Sequence, residues 1–564
     1  MRSAGCGAPP EASAVSLAVR RTALLFTPLA FVLASCAPAP DPAATTVVEQ
    51  GLAIAEVFET PEPYSVLTLE SMDLAAFLSK HPDYRSDSAA VADFYERRNM
   101  QFAWVVNDSL SASAEAFIAL TGAADAAAPP SLATVPELTT LFTTLYDTTS
   151  AERERVPLCA GCATDVELRL TVEFFRFANR SYNGYLSRDL SDLNWFIPRA
   201  KKDPSRLLDS LAVGDLDLSA YEPVHPQYQL LKGHLGAFRD LSSEPWPVLT
   251  LPPGMRTLEA DDSTAVVGAV RHRLQALGDL GSDGTGERFD STLVVALERF
   301  QGRHGLSTDG VLGPNTLREL NVSPEERIRT MLVNMERLRW VPEEQPENLL
   351  LVNIPEFRLH VYEGDEEVMS MEVVVGANAS RTVIFSDSVS QVVFSPTWTV
   401  PASITRNEIL PQIANDPDYL QKHNMEIVGG TDELPVIRQR PGLENALGRV
   451  KFVFPNSYSI YMHDTPAQSL FDREQRAFSH GCIRLSRPLD LARYLLRDDP
   501  EWPSERIDQA TVAGREVFVP LEEPTPVAIV YFTAWVDTQG LLNFRNDLYG
   551  HDERLAGELF PASR

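Results

Sequence analysis

The spacing of apolar residues changes near Leu349, and that change restricts the folds open to this chain. Upstream, apolar residues such as Leu168 and Val172 recur every three or four positions, which is the spacing of one helix face. Downstream, the runs 349–354 and 371–376 are rich in branched apolar residues, which favours β-strands. A chain of 564 residues also exceeds one compact domain. We therefore predict a multidomain α+β protein, helical in its N-terminal part and β-rich in its C-terminal part.

Net charge and the N-terminus narrow the possible partners and the location. The chain has 49 Lys and Arg against 78 Asp and Glu, a formal charge of −29. Such a chain repels phosphate groups, so we expect no nucleic-acid binding. Arg20 and Arg21 precede a short apolar run at 23–33, which is typical of a secretory signal peptide, here 1–35. We predict export to the periplasm, with a flexible linker at 36–65.

Export changes what each cysteine can do. The run from Leu33 to Cys36 resembles the lipobox of bacterial lipoproteins, where the cysteine is lipidated and anchors the protein to a membrane. An ordinary cleavage site followed by a chance cysteine is the alternative. Cys159 and Cys162 can pair locally in an oxidising compartment, and a structural disulfide is favoured over a redox site. Cys482 is then the one thiol expected to stay free.

Cys482 and His463 are the candidate catalytic pair. A cysteine nucleophile needs a base to take its proton, and His463 ends a predicted strand upstream of residues 479–482, Ser-His-Gly-Cys. The intervening loop is long enough to leave the sheet and bring the thiol back beside the imidazole. A helix predicted at 488–496 would place Cys482 near a helix N-terminus, where the dipole favours thiolate. Arg484 adds positive charge in the same direction.

Neither a metal nor another cofactor is predicted. His463 and His480 lack a third ligand at useful spacing, and no His-x-x-Glu-His run occurs. A glycine-rich phosphate loop is also missing from the sequence. These observations argue against a zinc peptidase.

Residues 351–486 resemble the YkuD-type L,D-transpeptidase catalytic domain. The family pattern is a histidine, a gap and then Ser/Thr-His-Gly-Cys, which His463 and residues 479–482 match. Many members have Asn two residues after the cysteine, whereas this chain has Arg484, so we expect a different polar contact there. Some members of the multidomain subgroup also carry Arg. Shorter matches lie at 353–355, 375–376, 396–398 and 448–450.

Residues 255–321 form a small predicted unit, in which Ser263 and Asp290 are expected to cap the first two helices and Pro314 is suited to open a third. Its run 300–316 closely resembles the three-helix peptidoglycan-binding module, and the resemblance covers the whole unit. The resemblance implies affinity for cell-wall polymer, although a structural spacer that has lost binding is the alternative. The residues of the module assigned to binding are Gln301, Asp309, Gly310 and Gly313.

The whole arrangement resembles the large, multidomain L,D-transpeptidase subgroup. Ser323 and Glu326 predict a capping box that opens a helix connecting the module to the catalytic domain. After the signal peptide and linker, the predicted segments are a helical scaffold at 66–250, the module at 255–321, the connecting helix at 322–346, the catalytic domain at 347–520 with a capping insertion at 403–450, and a β-hairpin and tail at 521–564.

The resemblance implies two-step acyl transfer on peptidoglycan. Cys482 would attack the carbonyl that joins the third residue of a tetrapeptide stem to D-alanine, and His463 would shuttle the proton. The backbone carbonyl of Asp464 would orient His463, with the Asp464 side chain as the competing candidate. The side-chain amine of a diaminoacid in a second stem would then attack the thioester and form a 3→3 cross-link.

The surrounding residues receive supporting roles. The backbone N–H groups of Gly481 and Cys482 are the expected oxyanion donors. Ser479 belongs to the same loop, and His480 is expected to shape it rather than act as base. The other pocket residues are Tyr461 and Trp398, for which plain core packing is equally favoured.

Other acyl acceptors stay open. The same thioester could serve an L,D-carboxypeptidase, D-amino-acid exchange, or attachment or release of a wall-linked protein. A wall-binding scaffold with an inactive catalytic domain is the non-enzymatic alternative, which the intact cysteine and histidine disfavour.

Overall fold

A computed structural model describes most of the chain beyond residue 64. The described residues are 65–106, 109–122, 162–186, 190–199, 203, 208, 225–281, 286–342 and 345–560. The predicted signal peptide, Cys36 and Cys159 lie outside them. Within the described ranges, no helix is both long enough and apolar enough to cross a membrane. Cys162 is disulfide-bonded, whereas Cys482 is a free thiol.

The N-terminal scaffold is helical, as the apolar spacing predicts. Its core includes the contacting rings of Trp104, Phe117 and Phe174. The carboxylate of Glu167 is buried there and accepts hydrogen bonds from three successive backbone N–H groups, which ties the longest helix to the chain at 103–105. The elements are helices Asp73–Lys80, Ser88–Arg97, Ala112–Gly122, Ala163–Asn183 and Pro226–Ser242, 3₁₀ turns Pro82–Asp87 and Leu190–Leu193, and the paired strands β1 (Val105–Val106) and β2 (Ser109–Leu110).

The module at 255–321 consists of three helices around a separate hydrophobic core. The carboxylate of Asp290 accepts a hydrogen bond from the Leu293 N–H, which confirms the predicted cap of the second helix. The predicted cap at Ser263 is wrong, because Thr264 occupies the N-cap position and Ser263 lies in an isolated β-bridge. Helix ends predicted from sequence commonly shift by a residue. The helices are Ala265–Ala276, Ser291–Arg303 and Pro314–Leu320.

The connecting helix, Pro324–Leu338, joins the scaffold to the C-terminal hairpin. The predicted capping box is present: the Ser323 hydroxyl accepts from the Glu326 N–H, and the Glu326 carboxylate accepts from the Ser323 N–H. Its apolar stripe, which includes the fully buried Met331 and Met335, packs between helix Pro226–Ser242 and the hairpin.

A nine-stranded mixed sheet forms the β-rich part of the chain. The strands between residues 348 and 530 are β3 (Asn348–Asn353), β4 (Arg358–Glu363), β5 (Glu366–Gly376), β6 (Phe385–Phe394), β7 (Trp398–Thr399), β8 (Met425–Gly430), β9 (Pro435–Gln439), β10 (Val450–Val453), β11 (Met462–His463), β12 (Ala477–Ser479), β13 (Ile483–Leu485) and β14 (Val517–Val530). The spatial order in the nine-stranded sheet is β12-β5-β13-β11-β10-β6-β14-β3-β4, and β4 also pairs with β5, so the sheet closes on itself around an apolar core. This observation confirms the predicted α+β class.

A small subdomain lies between β6 and β10, in the stretch predicted to cap the sheet. It contains a three-stranded sheet of order β7-β9-β8, which the sequence reading of helices and loops missed. The sequence does not predict the hairpin of β8 and β9, because β8 is short, largely exposed and ends in two glycines, which leaves little apolar alternation. The helical parts are Ala402–Ile404, the π-helix Thr405–Ile409, Leu410–Asn415 and Tyr419–Lys422.

The C-terminal segment is part of the same structure. Strand β14 crosses the boundary drawn at residue 520 and pairs with both β6 and β3. The predicted hairpin is present as β15 (Ala534–Val536) and β16 (Leu542–Phe544), and the tail forms an unpredicted helix, His551–Leu559. The Gln227 side chain, from the scaffold, hydrogen-bonds both the N–H and the C=O of Val536. The remaining helices are Pro488–Leu495 and Ser504–Ala510.

Candidate active site

Three adjacent strands bring the candidate catalytic residues to one face of the sheet. Strand β11 pairs in parallel with β13, with His463 opposite Arg484, and antiparallel with β10, with His463 opposite Lys451. The Ile483 N–H donates to the Tyr461 carbonyl, so Cys482 enters the sheet beside Tyr461. Alternate residues of a strand share a face, which places the thiol on the side that carries the imidazole.

The imidazole of His463 is held through its Nδ1 atom. It is buried, and Nδ1 lies 2.5 Å from the backbone carbonyl oxygen of Asp464. A carbonyl can only accept, so Nδ1 carries the proton and Nε2 has a free lone pair. His463 is therefore arranged as a base at Nε2.

The carboxylate of Asp464 is engaged elsewhere. It accepts hydrogen bonds from the backbone N–H groups of Arg449 and Thr465, at 2.9 and 2.8 Å. Gly448 has φ of 59°, and a Cβ atom at that position would collide with this carboxylate. Of the two orienting groups considered for His463, the backbone carbonyl makes the contact and the side chain does not.

The thiol of Cys482 lies beside the backbone of Ser459. Its Sγ is 3.7 Å from the carbonyl oxygen of Ser459, a residue with φ of 58°. The turn that imposes this backbone is braced by Asn456, whose side chain accepts from the N–H groups of Tyr458 and Ile460. Strained backbone of this kind is common beside reactive groups.

Burial dominates the protonation of both candidate catalytic groups. It raises the pKa of the Cys482 thiol, although hydrogen bonds from the Tyr461 N–H and hydroxyl and the charges of Lys451 and Arg484 lower it. Burial also lowers the pKa of His463 to about 3, helped by Arg484 and Lys451 and opposed by the bond to Asp464. The resting pair is thus neutral thiol and neutral imidazole rather than an ion pair.

The predicted helix-dipole effect on Cys482 is wrong. Strand β13 follows the cysteine directly, and the helix begins only at Pro488. Because the dipole acts within the first turn, Cys482 does not lie at that helix N-terminus. The positive charges near the sulfur come instead from Arg484, which was predicted, and Lys451, which was not.

The nucleophile loop, residues 479–482, is closed by its own hydrogen bonds. The Ser479 hydroxyl donates to the Cys482 carbonyl at 2.6 Å and accepts from the Gly481 N–H at 3.1 Å. Gly481 has φ of 111°, which favours glycine. Among the described residues, the Cys482 N–H has no acceptor. Of the two predicted oxyanion donors, the Cys482 N–H is therefore the one left open.

The capping subdomain reaches the site through Trp398 and Glu408. Burial raises the pKa of the Tyr461 phenol and the Trp398 side chain lowers it, and the Lys451 ammonium lies 3.8 Å from the centre of the Tyr461 ring. His480 is half exposed and pairs with Glu408 of the π-helix at 2.9 Å. Tyr461 thus interacts with the thiol and Trp398 with Tyr461, while a role of Tyr461, Trp398 or His480 in substrate binding stays a prediction. Lys451 could have been found only by predicting how β10 pairs with β11.

The predicted wall-binding residues of the module support its fold. Gln301 is 1% exposed, and its side chain donates to Asp309 and accepts from the Gly310 N–H. Gly310 has φ of 67°, and Gly313 is the N-cap of the third helix. These bonds hold the turn at 307–310, so contact with wall polymer through them stays a prediction. No cluster of three or more metal-binding side chains occurs within the described residues.

Family models match three segments of the chain. Residues 347–519 match the "L,D-transpeptidase catalytic domain", residues 89–235 match a "Scaffold domain" and residues 263–320 match the "Putative peptidoglycan binding domain". The resemblances stated from sequence are therefore confirmed at the level of these domains. 

A curated relative from Haemophilus influenzae, named "Putative L,D-transpeptidase", is 31% identical over 256 residues. This covers 43% of the chain and 50% of the relative, so the chain spans about half the length of the protein it matches. Among solved structures, an L,D-transpeptidase from Mycobacterium smegmatis is 15% identical, with 33% of this chain and 58% of that one covered and a TM-score of 0.17. One from Stackebrandtia nassauensis is 13% identical, with 48% and 94% covered and a TM-score of 0.21. Scores this low support no functional conclusion.

Proposed function

We propose that this chain, whose residues 347–519 belong to the L,D-transpeptidase catalytic domain family, forms 3→3 cross-links in peptidoglycan with Cys482 as nucleophile. One observation carries the proposal. The Asp464 carbonyl holds the Nδ1 proton of His463, which leaves Nε2 unprotonated on the face of the sheet that Cys482 shares. A thiol with a base and an open backbone N–H beside it has the groups that acyl transfer requires.

The first step forms the thioester. Sγ attacks the carbonyl that joins the diaminoacid of a tetrapeptide stem to D-alanine, and the thiol proton passes to Nε2 of His463. The carbonyl oxygen becomes an oxyanion that the Cys482 N–H can stabilise, with Lys451 and Arg484 offsetting the charge. The C–N bond then breaks, Nε2 returns the proton to the departing amine, and D-alanine leaves.

The second step transfers the acyl group. A side-chain amine of another stem attacks the thioester carbonyl, and His463 takes a proton from that amine. The C–S bond breaks, the thiolate recovers the proton from the imidazolium, and the two stems are joined through an amide. The neutral thiol–imidazole pair is restored, which matches the resting protonation favoured by burial.

Muropeptide analysis of tetrapeptide-containing wall incubated with the purified protein tests this function. We expect 3→3 dimers and released D-alanine, both lost in Cys482→Ala. A wild-type sample whose thiol is alkylated beforehand is the matched control. Dimers that persist with Cys482→Ala would refute the assignment, and D-alanine release without dimers would point to a carboxypeptidase.

We also propose that the protein works in the periplasm, anchored by a lipid on Cys36 and held near the wall by the module. The apolar run after Arg20-Arg21 and the match of residues 263–320 support this. In cell fractionation, Cys36→Ser should move the protein from the membrane to the soluble fraction. Co-sedimentation with wall sacculi should weaken when residues 255–321 are deleted. Unchanged fractions in either experiment would contradict the corresponding part.

A further inference from the structure

The peptide bond between Gly481 and Cys482 is held from its carbonyl side. The hydroxyl of Thr382 donates to the Gly481 carbonyl at 2.8 Å. A trans peptide is planar, and its C=O and N–H point in opposite directions. Fixing the Gly481 carbonyl therefore also fixes the direction of the Cys482 N–H, the group assigned above to the oxyanion.

Thr382 is itself held firmly. It is fully buried, and its hydroxyl accepts a hydrogen bond from the Gly376 N–H at 2.9 Å. The turn from Gly376 to Thr382 is tight, because a Cβ atom at Gly376 would collide with the Ser380 carbonyl. The same turn makes a second contact with the nucleophile loop, since the Ala377 N–H and the Ser380 hydroxyl both donate to the Ser479 carbonyl.

One phenol closes the base of this turn. The hydroxyl of Tyr549 donates to the Gly376 carbonyl at 2.6 Å and accepts from the Thr382 N–H at 3.3 Å. Tyr549 is 2% exposed, and its N–H donates to the hydroxyl of Tyr531, which donates in turn to Asp547. Asp547 also accepts from backbone N–H groups at the start of the last helix, so Tyr549 is locked in place.

We propose that Tyr549 is a positioning residue for the nucleophile loop. It lies outside residues 347–519 and acts through Thr382, which sets the direction of the Cys482 N–H. A residue of the C-terminal segment thus fixes the direction of the Cys482 N–H, the proposed oxyanion donor. This inference rests on the proposed acyl transfer, since only that reaction builds a negative oxygen beside Cys482.

A second reaction of the same thiol distinguishes a change in the direction of the Cys482 N–H from a general loss of order in the nucleophile loop. Iodoacetamide alkylates Sγ by forming an S–C bond as the C–I bond breaks; iodide leaves and the thiol proton goes to solvent. No oxyanion forms, so the direction of the Cys482 N–H does not matter. Loss of positioning should therefore slow acyl transfer and leave alkylation unchanged.

The experiment compares Tyr549→Phe and Thr382→Val with the control Tyr494→Phe. Tyr494 bonds Glu363 at the surface, so its variant removes a phenol hydroxyl away from the loop. We expect kcat for D-alanine release to fall about 10- to 100-fold in the first two variants, with KM within about twofold. The double variant should cost little more than Thr382→Val alone, because both act on one hydrogen-bond path. Thr382→Ser, which keeps the hydroxyl, should retain wild-type kcat.

The outcomes are distinct. A Tyr549→Phe protein with wild-type kcat overturns the inference, and so does alkylation that falls in parallel with kcat, which would indicate a merely structural role. A wild-type protein that is alkylated normally but releases no D-alanine and forms no dimers refutes the proposed function, and this inference with it.

Discussion

The Nδ1 atom of His463 lies 2.5 Å from the backbone carbonyl oxygen of Asp464, while the carboxylate of Asp464 faces two backbone N–H groups. The third member of the proposed catalytic constellation is thus a main-chain atom. A side-chain substitution cannot remove it, so the orientation of the base depends on the backbone path through residues 448–465.

Asp464→Asn should therefore leave catalysis nearly intact. We expect kcat/KM for D-alanine release within about fivefold of wild type, whereas the equivalent change in a Ser-His-Asp triad costs about 10⁴-fold. His463→Gln, which removes the base itself, should cost at least about 100-fold. A triad-sized loss in Asp464→Asn would show that the carboxylate, and not the carbonyl, serves the imidazole.

Gly448→Ala should destabilise the fold more than the same change at Gly514. Both residues have positive φ, 59° and 68°, so both variants strain the backbone. Only at Gly448 does the new Cβ atom meet another group, the Asp464 carboxylate, whereas at Gly514 it meets open space. We expect about 1 kcal/mol lost at Gly514 and a further 1–3 kcal/mol at Gly448 in urea unfolding. Equal losses would mean that the turn relaxes.

Acyl transfer and alkylation should differ in their pH dependence. Burial lowers the pKa of His463 to about 3 and raises that of the Cys482 thiol, so the base is free and the thiol protonated near neutrality. We expect kcat/KM to change little between about pH 5 and 8, because the base is already deprotonated. Alkylation needs thiolate and should rise about tenfold per pH unit over the same range.

The cation beside the sulfur provides the control for this profile. Lys451→Met removes a charge that lowers the thiol pKa, so alkylation at pH 8 should slow further. Mass spectrometry of the alkylated protein measures the alkylation rate of the wild type and of Lys451→Met. An acidic limb of kcat/KM near about pH 6.5, the ordinary pKa of histidine, would contradict the neutral pair.

Glu474 should control the mobility of the loop between the base and the nucleophile. Its carboxylate accepts from the Ser307 N–H at 2.9 Å, the Ser307 hydroxyl at 2.6 Å and the Asn315 amide at 3.3 Å, which ties this loop to the module. Glu474→Ala should speed hydrogen exchange at 465–478 and at 305–315, because both segments lose the contact.

Glu408→Ala, which removes a different surface carboxylate, is the matched control for that measurement. It breaks the exposed pair with His480, and exposed pairs contribute little, about 0–1 kcal/mol. Exchange at 465–478 should stay as in wild type. Equal protection in the Glu474 variant and in this control would show that the docking of the loop does not depend on Glu474.

The local parts of the site could be predicted from sequence, and the parts assembled by distant pairing could not. The histidine, the gap and the Ser-His-Gly-Cys run lie close in the chain and identify Cys482 and His463. Lys451 joins them only through the pairing of β10 with β11, for which a short strand gives no register signal.

The same limit applies to the fold. Caps at Asp290 and Ser323 were predictable because each is a contact within one helical turn. The helix His551–Leu559 was missed because its apolar positions are few and its cap comes from Asp547, outside the helix. Tyr549 gives no local signal in the sequence, since its partners Gly376 and Thr382 are far away along the chain.

The bond between Gln227 and Val536 has a consequence for how the chain folds. Its two ends are separated by 309 positions, and it joins a scaffold helix to an edge of the C-terminal hairpin. The helical part therefore cannot complete its packing before the hairpin has formed. Contacts at such separations slow folding, so we expect this joint to form late and to leave the new chain open to proteases until both of its ends have been made.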